Sequence, residues 1–487
     1  MKLDETIWLD ATAQAQLVRD GEVSPLELVD AAIARIEKLN PQLNAVIYER
    51  FDEARRVAAE NKLPDGPLRG VPFLMKDAVQ TVQGQPMSFG IKALKDLNYR
   101  APLTTYVAQK FIDAGLVTLG QTAVPLFGII TSAETEAWGV TRNPWNPDHG
   151  AGGSSTGAAV AVSSGMVSLA HGNDAGGSIR IPAALCGLVG LKASRGRTSI
   201  GPTYADFWGA SHEEGTLART VRDMALGLDV VRGYMPGDPY MAPEPIRPYR
   251  EEVGRDPGKL RIGYVRTLAG DMASYRADVL QALDNALALL GSLGHRIDDS
   301  RPQILLEEGM PGETSKLVAC HTAVEAKDIE RLIERPLRAD DCDLVTWSLM
   351  ELGRAIMATD YIEILNWRNT LTRGTAAWWA QGFDVLVMPT VGAAAPRIGE
   401  LPMRPGEEAD VVGARLAPYH QSTQIWNITG QPAISLPLYI NEAGLPLGVQ
   451  FIAAYGREDL LIRLASQIEQ AAPWHDRHPP INAGNSK

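Results

Sequence analysis

The sequence predicts an α/β protein. Short apolar runs between turn residues alternate with longer segments in which apolar residues recur every three to four positions. Several runs are rich in β-branched residues and end in proline, as in DVLVMPT and QPAISLPLYI, which is typical of buried strands. No internal repeat and no Pro- or Ser-rich linker divides the 487 residues, so we expect a single domain over 1–487.

The N-terminal part begins with a predicted helical region of about sixty residues. Ser24-Pro25 marks a helix start, because proline suits the first turn, and ELVDAAIARIEKLN follows with helical apolar spacing. The run LRGVPFLMKDAV predicts a buried strand that ends at Lys76-Asp77. Residues 104–115 predict a helix, and VTLGQT predicts the next strand.

The rest of the chain continues the alternation. Residues 143–178 are rich in Gly, Ser and Ala interleaved with Val, Leu and Ile, which favours close packing over a low-complexity loop. The segment IPAALCGLVGLKAS predicts a buried helix followed by a strand. Residues 260–300 predict strand, helix and strand, residues 315–381 are mostly helical, and PLGVQFIAAY predicts a further strand.

Composition excludes several classes of protein. The chain is 45% hydrophobic and 21% charged, as in ordinary globular proteins, and its net charge of −12 disfavours nucleic acid and anionic membranes as partners. The N-terminus lacks the continuous apolar stretch of a signal peptide, and no window is long and apolar enough for a membrane span. Three widely spaced cysteines give neither a disulfide framework nor a zinc pattern. We therefore expect a cytoplasmic protein.

Three segments carry groups suited to nucleophilic catalysis. GVPFLMKDAV contains Lys76, GAGGSSTGAAVAV contains Ser154 and Ser155, and GNDAGGSIRIPAA contains Ser178. Singly, each has a simpler interpretation, because Gly-Gly-Ser is usually a loop and Lys-Asp at a strand end is usually a solvated pair. A serine nucleophile needs a base, and together the three segments provide candidates for both the nucleophile and the base.

The third segment also predicts an oxyanion hole. Its Gly-Gly-Ser turn precedes a helix, so neighbouring backbone N–H groups can converge on one point. The residues expected to provide them are Ala175, Gly176, Gly177 and Ser178. Asp174 and Arg180 flank the turn and can hold it through charge-assisted hydrogen bonds.

Taken together, these segments resemble the amidase signature family. GGSS at 152–155, the 24 residues from Ser154 to Ser178, and DAGGSIR at 174–180 match its signature. Further family motifs are VPFLMKD at 71–77, TRNPWNP at 141–147, DVLVMPT at 384–390 and NITGQPAISLP at 427–437. The resemblance covers essentially the whole chain. It implies an amidase domain with a large mixed β-sheet covered by helices on both faces, a signature core at about 60–200, and a mostly helical insert at about 310–382.

The resemblance also implies a mechanism. Ser178 would attack the amide carbonyl, Ser154 would follow a cis peptide bond and relay protons, and Lys76 would be the uncharged base. Ser155, Asp174 and Arg180 would support them. No cofactor or metal is implied. The expected ligand is a small-molecule amide, and homodimers are common in the family.

Four segments resemble family members that hydrolyse nylon oligomers: residues 8–22, 136–146, 170–183 and 453–461. In those members a cysteine at the place of Cys320 lines the substrate pocket, although a small buried helix residue is the simpler interpretation of Cys320. A wall loop that commonly reads Gly-Ser-Ser-Thr-Glu is altered here at 130–134. The predicted substrate-binding residues are Ile129, Ile130, Thr131, Ser132, Cys320 and Trp426. Such an apolar pocket should favour linear or cyclic aliphatic amides, including 6-aminohexanoate oligomers, over glutamine.

Other mechanisms and functions fit the sequence less well. The eight histidines are scattered and none lies in a nucleophile elbow, which disfavours a histidine-based triad, and no HExxH motif or His-Cys cluster indicates a catalytic metal. The glutaminase subunit of a tRNA-dependent amidotransferase shares the signature, but the altered 130–134 loop argues against it. A non-catalytic binding protein is disfavoured because all three catalytic positions are intact.

Overall fold

The fold is built on one large sheet. The computed structural model describes residues 6–60, 62–270 and 272–485, without the side chains of 409 and 410. Its strands are β1 (Val46–Glu49), β2 (Pro72–Lys76), β3 (Val117–Thr122), β4 (Glu134–Thr135), β5 (Gly139–Val140), β6 (Arg142–Asn143), β7 (Asn146–Gly150), β8 (Leu169–Asp174), β9 (Val189–Lys192), β10 (Glu213–Ala218), β11 (Arg261–Tyr264), β12 (Arg296–Asp298), β13 (Val385–Pro389), β14 (Ala433–Ile440) and β15 (Pro446–Ala453).

Eleven of these strands form the sheet, in the order β1-β3-β2-β8-β10-β9-β14-β15-β13-β11-β12. Strand β2 runs parallel to both β3 and β8, and β11 runs parallel to both β12 and β13. The other pairings are antiparallel, as between β10 and β8. The sheet is therefore mixed, as predicted. The remaining strands form two small hairpins, β4-β5 and β6-β7.

Helices occupy the segments between strands. They are α1 (Ala11–Arg19), α2 (Pro25–Leu43), α3 (Phe51–Ala59), α4 (Lys92–Asp96), α5 (Tyr106–Asp113), α6 (Thr156–Ser163), α7 (Arg180–Cys186), α8 (Val221–Val231), α9 (Ala277–Ser292), α10 (Met310–Leu332), α11 (Leu344–Ala355), α12 (Ala358–Trp379), α13 (Ala409–Thr429) and α14 (Glu458–Ala471). The prediction of sixty helical residues at the N-terminus is wrong at β1. A run of four residues is too short to show whether its apolar residues repeat as in a strand or as in a helix. Its pairing with β3 makes it a strand.

The start of α2 shows how local sequence sets an element. Ser24 Oγ accepts a hydrogen bond from the backbone N–H of Glu27 at 3.2 Å, and the Glu27 carboxylate accepts one from the Ser24 N–H at 2.8 Å. Pro25 occupies the first helical position, where its missing N–H leaves no hydrogen bond unmade. The helix therefore begins where the sequence predicts.

Both faces of the sheet are covered. Along β2, Phe73 and Met75 belong to a hydrophobic cluster on one face, and Leu74 belongs to a cluster on the opposite face. Residues of α8 and α9 contribute to the first cluster and residues of α2 and α6 to the second. Successive residues of β2 point to opposite faces of the sheet, and both faces are covered. All five residues of β2 are therefore buried, including Lys76 at its end.

Helices α10, α11 and α12 occupy residues 310–379, within the predicted helical insert. Val318, Ile329 and Met350 from α10 and α11 pack in a third hydrophobic cluster with Phe127 and Trp208. This packing brings the helical segment over the carboxyl end of β2. Among the described residues, no helix combines the length and apolarity needed to cross a membrane.

Candidate active site

Lys76 ends β2 in a fully enclosed position. Its side chain is buried, and its Nζ lies 2.8 Å from Ser154 Oγ and within hydrogen-bond distance of Asn173 Oδ1. Its backbone N–H donates to His171 Nδ1 at 3.2 Å. Strands β2 and β8 are neighbours, so β8 supplies both His171 and Asn173 to this lysine.

Burial changes the proton affinity of this amine. Loss of solvation lowers the pKa of Lys76 to about 7, while the carboxylates of Glu214 and Asp174 act in the opposite direction. A lysine in water has a pKa of about 10.4 and is almost fully charged at neutral pH. Lys76 can therefore be uncharged near pH 7, and a neutral amine beside a hydroxyl can accept its proton.

Ser154 and Ser155 connect Lys76 to the third segment. The peptide bond between Gly153 and Ser154 is cis. The N–H of Ser155 donates to the carbonyl of Ser178 at 3.2 Å, and Ser155 Oγ donates to the carbonyl of Asn173 at 3.3 Å. Ser155 thus holds the two segments together, while Ser154 and Ser178 both face one cavity.

The turn at 174–180 is organised around Asp174. Its carboxylate accepts hydrogen bonds from the N–H groups of Gly177 at 2.7 Å and Ile179 at 3.2 Å, and from the Arg180 guanidinium at 2.9 and 3.0 Å. Burial alone would raise the pKa of Asp174, but the charge and hydrogen bonds of Arg180 and the amide of Asn427 hold it well below its usual range. Asp174 and Arg180 therefore support the turn as the sequence suggested.

The predicted oxyanion hole needs one correction. Because the N–H of Gly177 is taken by Asp174 Oδ1, it is not free for a substrate, and Gly177 does not line the cavity. Ala175, Gly176 and Ser178 do line it. Among the hydrogen bonds of the described residues, none uses the backbone N–H of these three. They are the N–H groups that remain for an oxyanion.

The residues that support this turn from behind have no role that the sequence alone indicates. Asn427 of α13 donates to both the carbonyl and the carboxylate of Asp174, at 2.9 and 2.8 Å, and Thr423 Oγ1 donates to the carbonyl of Gly176 at 2.7 Å. Gln450 of β15 accepts from Arg180 at 3.2 Å. Asn427 opens the NITGQPAISLP motif, so its position was visible in the sequence, whereas its contact depends on the fold.

The cavity in front of Ser178 has a volume of about 930 Å³. Of the predicted wall residues, Ile129, Ile130 and Thr131 line it. Within the described part of the chain, no Asp, Glu, Lys or Arg side chain lines it. Burial lowers the pKa of His420, one of its polar residues, to about 4, so this imidazole is neutral near pH 7. The wall is mainly apolar, with a few neutral polar groups.

Three predicted substrate-binding residues lie elsewhere. Ser132 Oγ donates to the Glu134 carboxylate at 2.8 Å instead of facing the cavity. Trp426 is fully buried in the core, with its ring edge-to-face against Trp379 at 6.2 Å between centroids. Cys320 is half-buried on α10 and is not among the lining residues.

Helical geometry explains the last two cases. On α10 the cavity is lined at positions 310, 311, 312, 314, 315 and 318, and from residue 416 onward α13 lines it at 416, 417, 420, 421, 424 and 425. Residues three or four apart share a helix face, whereas residues two apart point about 200° from each other. Cys320 lies two positions after Val318, the last lining residue of α10, and therefore faces away from the cavity. Trp426 lies about 100° around α13 from the lining residue Ile425 and points into the core, where it contacts Trp379.

Comparison with known proteins agrees with this geometry. The amidase family profile matches residues 27–462. The 6-aminohexanoate-cyclic-dimer hydrolase of Paenarthrobacter ureafaciens is 42% identical, over 98% of this chain and 97% of that protein. The structure of 6-aminohexanoate cyclic dimer hydrolase complexed with substrate has a TM-score of 0.93 at 40% identity, covering 98% of this chain and 99% of that one.

A bacterial aryl acylamidase of the amidase signature enzymes is a more distant structural relative. It superposes with a TM-score of 0.88 at 29% identity, over 99% of both chains. The match of family, sequence and structure over nearly the full length shows that this chain is a hydrolase of the amidase signature family.

Proposed function

We propose that the chain hydrolyses neutral aliphatic amides, including cyclic amides of the 6-aminohexanoate type, through an acyl-enzyme on Ser178. The observation that carries this proposal is the buried Lys76 amine at 2.8 Å from Ser154 Oγ, beside a cavity without charged lining among the described residues. Lys76 serves as the base and Ser154 as the proton relay.

The reaction follows from these positions. The Ser178 hydroxyl proton passes through Ser154 to the neutral Lys76 amine while Ser178 Oγ attacks the amide carbonyl. The N–H groups of Ala175, Gly176 and Ser178 stabilise the negative charge that develops on the carbonyl oxygen. The Lys76 ammonium then returns a proton through Ser154 to the leaving nitrogen, since an amide anion is a very poor leaving group. Water, activated through the same relay, hydrolyses the acyl-enzyme.

The character of the cavity supports the substrate class. Moving a charged group from water into an apolar site without a partner costs several kcal/mol. Glutamine and the linear oligomers of 6-aminohexanoate carry both an ammonium and a carboxylate, whereas a cyclic dimer carries neither. The name of the 42% identical relative, a cyclic-dimer hydrolase, agrees with this preference.

A panel of amides at equal concentration tests the proposal. It should contain a cyclic 6-aminohexanoate dimer, the matching linear dimer, a neutral linear alkyl amide and glutamine, with Ser178→Ala as the control for background hydrolysis. We expect hydrolysis of the neutral amides and little or none of glutamine, and EDTA should leave the rates unchanged. Glutamine as the best substrate would favour an amidotransferase subunit, and no turnover of any amide would favour a binding protein.

The purified protein also allows its partners and its assembly to be tested. We propose that the enzyme acts on a small-molecule amide without a partner protein, as a cytoplasmic homodimer, in line with its family resemblance. Activity of the chain purified alone tests the absence of a partner protein, and its mass in solution, measured by light scattering, tests the homodimer. Loss of activity on separation from a co-purifying protein would contradict the first, and a monomer would contradict the second.

A further inference from the structure

A buried chain of polar side chains lies behind Lys76, on the side away from Ser154. His171 on β8 accepts the Lys76 backbone N–H at Nδ1, at 3.2 Å, and its Nε2 lies 2.7 Å from Glu214 Oε2 on β10. The other carboxylate oxygen, Oε1, lies 2.7 Å from His212 Nε2 and accepts from Gln80 at 3.1 Å. Strands β2, β8 and β10 are consecutive in the sheet.

The hydrogen bonds define the roles of these groups. Because His171 Nδ1 accepts a hydrogen bond from the Lys76 N–H, the ring proton of this imidazole is on Nε2, which donates a hydrogen bond to Glu214. Burial alone would raise the pKa of Glu214, but the two imidazoles lower it to about 2. Glu214 is therefore a carboxylate with no solvent around it, held by three donors and linked to Lys76 through one imidazole.

Other charged groups near Lys76 differ from Glu214. Asp174 also acts on the charge of Lys76, but it forms a buried ion pair with Arg180. Asp77 follows Lys76 in the chain, and its carboxylate accepts from the N–H groups of Ser88 at 2.9 Å and Phe89 at 3.1 Å. Burial raises the pKa of Asp77 to about 7, so much of it is protonated near neutral pH.

We propose that Glu214 is a positioning residue for the base: through His171 it fixes the end of β2 that carries Lys76, and its buried negative charge stabilises the ammonium that Lys76 becomes during catalysis. This inference rests on the proposed function, in which Lys76 accepts the proton of the nucleophile. Without the Glu214 charge, the amine would be a weaker base and would hold the relayed proton less well.

Glu214→Gln tests the charge, because glutamine has nearly the same shape. In the wild type, activity falls at low pH as Lys76 becomes protonated. Removing a nearby anion destabilises the ammonium, so the acid limb of kcat/KM should move to lower pH by on the order of one unit. The plateau above the limb should fall about tenfold or more, because the proton affinity of the base has decreased. A variant that only loosened the structure would lower the plateau without moving the limb.

Two control variants separate charge from shape. Glu213→Gln alters the adjacent residue of β10, which is also buried but accepts hydrogen bonds from Gly196 and Thr198, so its acid limb should stay in place. Glu214→Asp keeps the charge but shortens the link to His171, so it should lower kcat while leaving the limb near its wild-type position. This variant also provides a test if Glu214→Gln does not fold.

The outcomes are distinguishable. An acid limb in Glu214→Gln that stays in place or moves to higher pH overturns the proposal, as does wild-type kcat in Glu214→Asp. A Lys76→Met variant measured alongside shows which statement has failed. If it retains the wild-type activity and acid limb, Lys76 is not the base and the proposed function fails. If it is inactive while the Glu214→Gln limb does not move, the role of Glu214 alone fails.

Discussion

At the scale of single residues, the proposed chemistry depends on an amine whose charge is controlled by its surroundings. A lysine at a strand end is ordinarily solvated and charged, but Lys76 is enclosed by Ser154 and Asn173 and cannot keep its ordinary proton affinity. The same burial that makes the ammonium costly makes the neutral amine available as a base. In the proposed mechanism, the loss of solvation around Lys76 therefore provides the base.

Single alanine substitutions at Lys76, Ser154 and Ser178 should each lower kcat by a factor on the order of 10³ or more. Because the three residues act as one relay, the double and triple variants should lose little more than the most damaging single variant. Ser155→Ala is the matched control, since it removes a neighbouring hydroxyl that binds a backbone carbonyl, and its loss should be smaller. Near-normal turnover by folded Lys76→Ala would contradict the mechanism.

The pH dependence of kcat/KM should show an acid limb near pH 7. Lys76 acts in its neutral form, and burial lowers its pKa to about 7, so the active fraction increases as the pH rises through that value. Below the limb, the rate should fall tenfold per pH unit. A profile that is flat from pH 5 to 9 would indicate that no group with this proton affinity takes part.

The sequence could predict these residues but not all their neighbours. Lys76, Ser154 and Ser178 were visible because they fall in motifs with fixed spacing. Asn173 lies in the same quoted segment as Ser178, yet its role depends on β8 lying beside β2. Glu214 belongs to no motif that indicated chemistry, and its link to Lys76 through His171 requires three strands in a particular order. Contacts that depend on the order of strands in the sheet cannot be predicted from the spacing of residues along the sequence.

At the scale of elements, the catalytic turn is held by parts of the chain that are distant in sequence. Asp174 organises the turn from within, and α13 and β15 fix it from outside through Asn427 and Gln450. The φ of Gly177 is +130°, and a Cβ there would lie 2.2 Å from Thr423 Oγ1. This glycine is needed both for the backbone conformation and for the close approach of α13.

Gly177→Ala should therefore unfold or distort the turn. The strained conformation and the steric overlap together should cost about 3 kcal/mol, measured by chemical denaturation, and nucleophile labelling should be lost. Gly176→Ala is the matched control one residue earlier, because its Cβ would meet Gln424 at 3.6 Å, an ordinary contact. If both variants have wild-type stability, the packing of α13 on this turn does not restrict position 177.

Helix geometry determines which residues of α10 line the cavity. The sequence predicted that Cys320 lines the pocket, but the face at 314, 315 and 318 does so instead. Helix boundaries and amphipathic faces can be predicted from spacing, but the rotation of a helix relative to a cavity depends on tertiary packing. Of the residues predicted to bind substrate, Ile129, Ile130 and Thr131 line the cavity, whereas Ser132, Cys320 and Trp426 do not.

Cys320→Leu should leave the relative rates over an amide panel unchanged, because this side chain points away from the cavity. Val318→Phe should change them, because Val318 lines the cavity and the larger ring reduces the space for long substrates. Both variants should be acylated normally by a small generic amide. A changed profile for Cys320→Leu, with an unchanged one for Val318→Phe, would reverse the orientation of α10 described above.

At the scale of the whole molecule, the sheet and the helical segment at 310–379 have separate tasks. Neighbouring strands of the sheet bring Lys76, Asp174 and their partners together at the strand ends. The helices enclose a cavity of about 930 Å³ over these residues. The mixed α/β class and most elements follow from the sequence, as does the family. The volume of the cavity and the complete set of residues that line it do not, because they arise from segments separated by hundreds of residues.

The nucleophile is the central claim and can be identified directly. The purified enzyme is treated with a fluorophosphonate, digested, and mapped by peptide mass spectrometry, with Ser178→Ala and Lys76→Ala treated in parallel. We predict a single adduct on Ser178, no adduct in Ser178→Ala, and much slower labelling in Lys76→Ala. An adduct on another residue, or equal labelling of wild type and Ser178→Ala, would contradict the account.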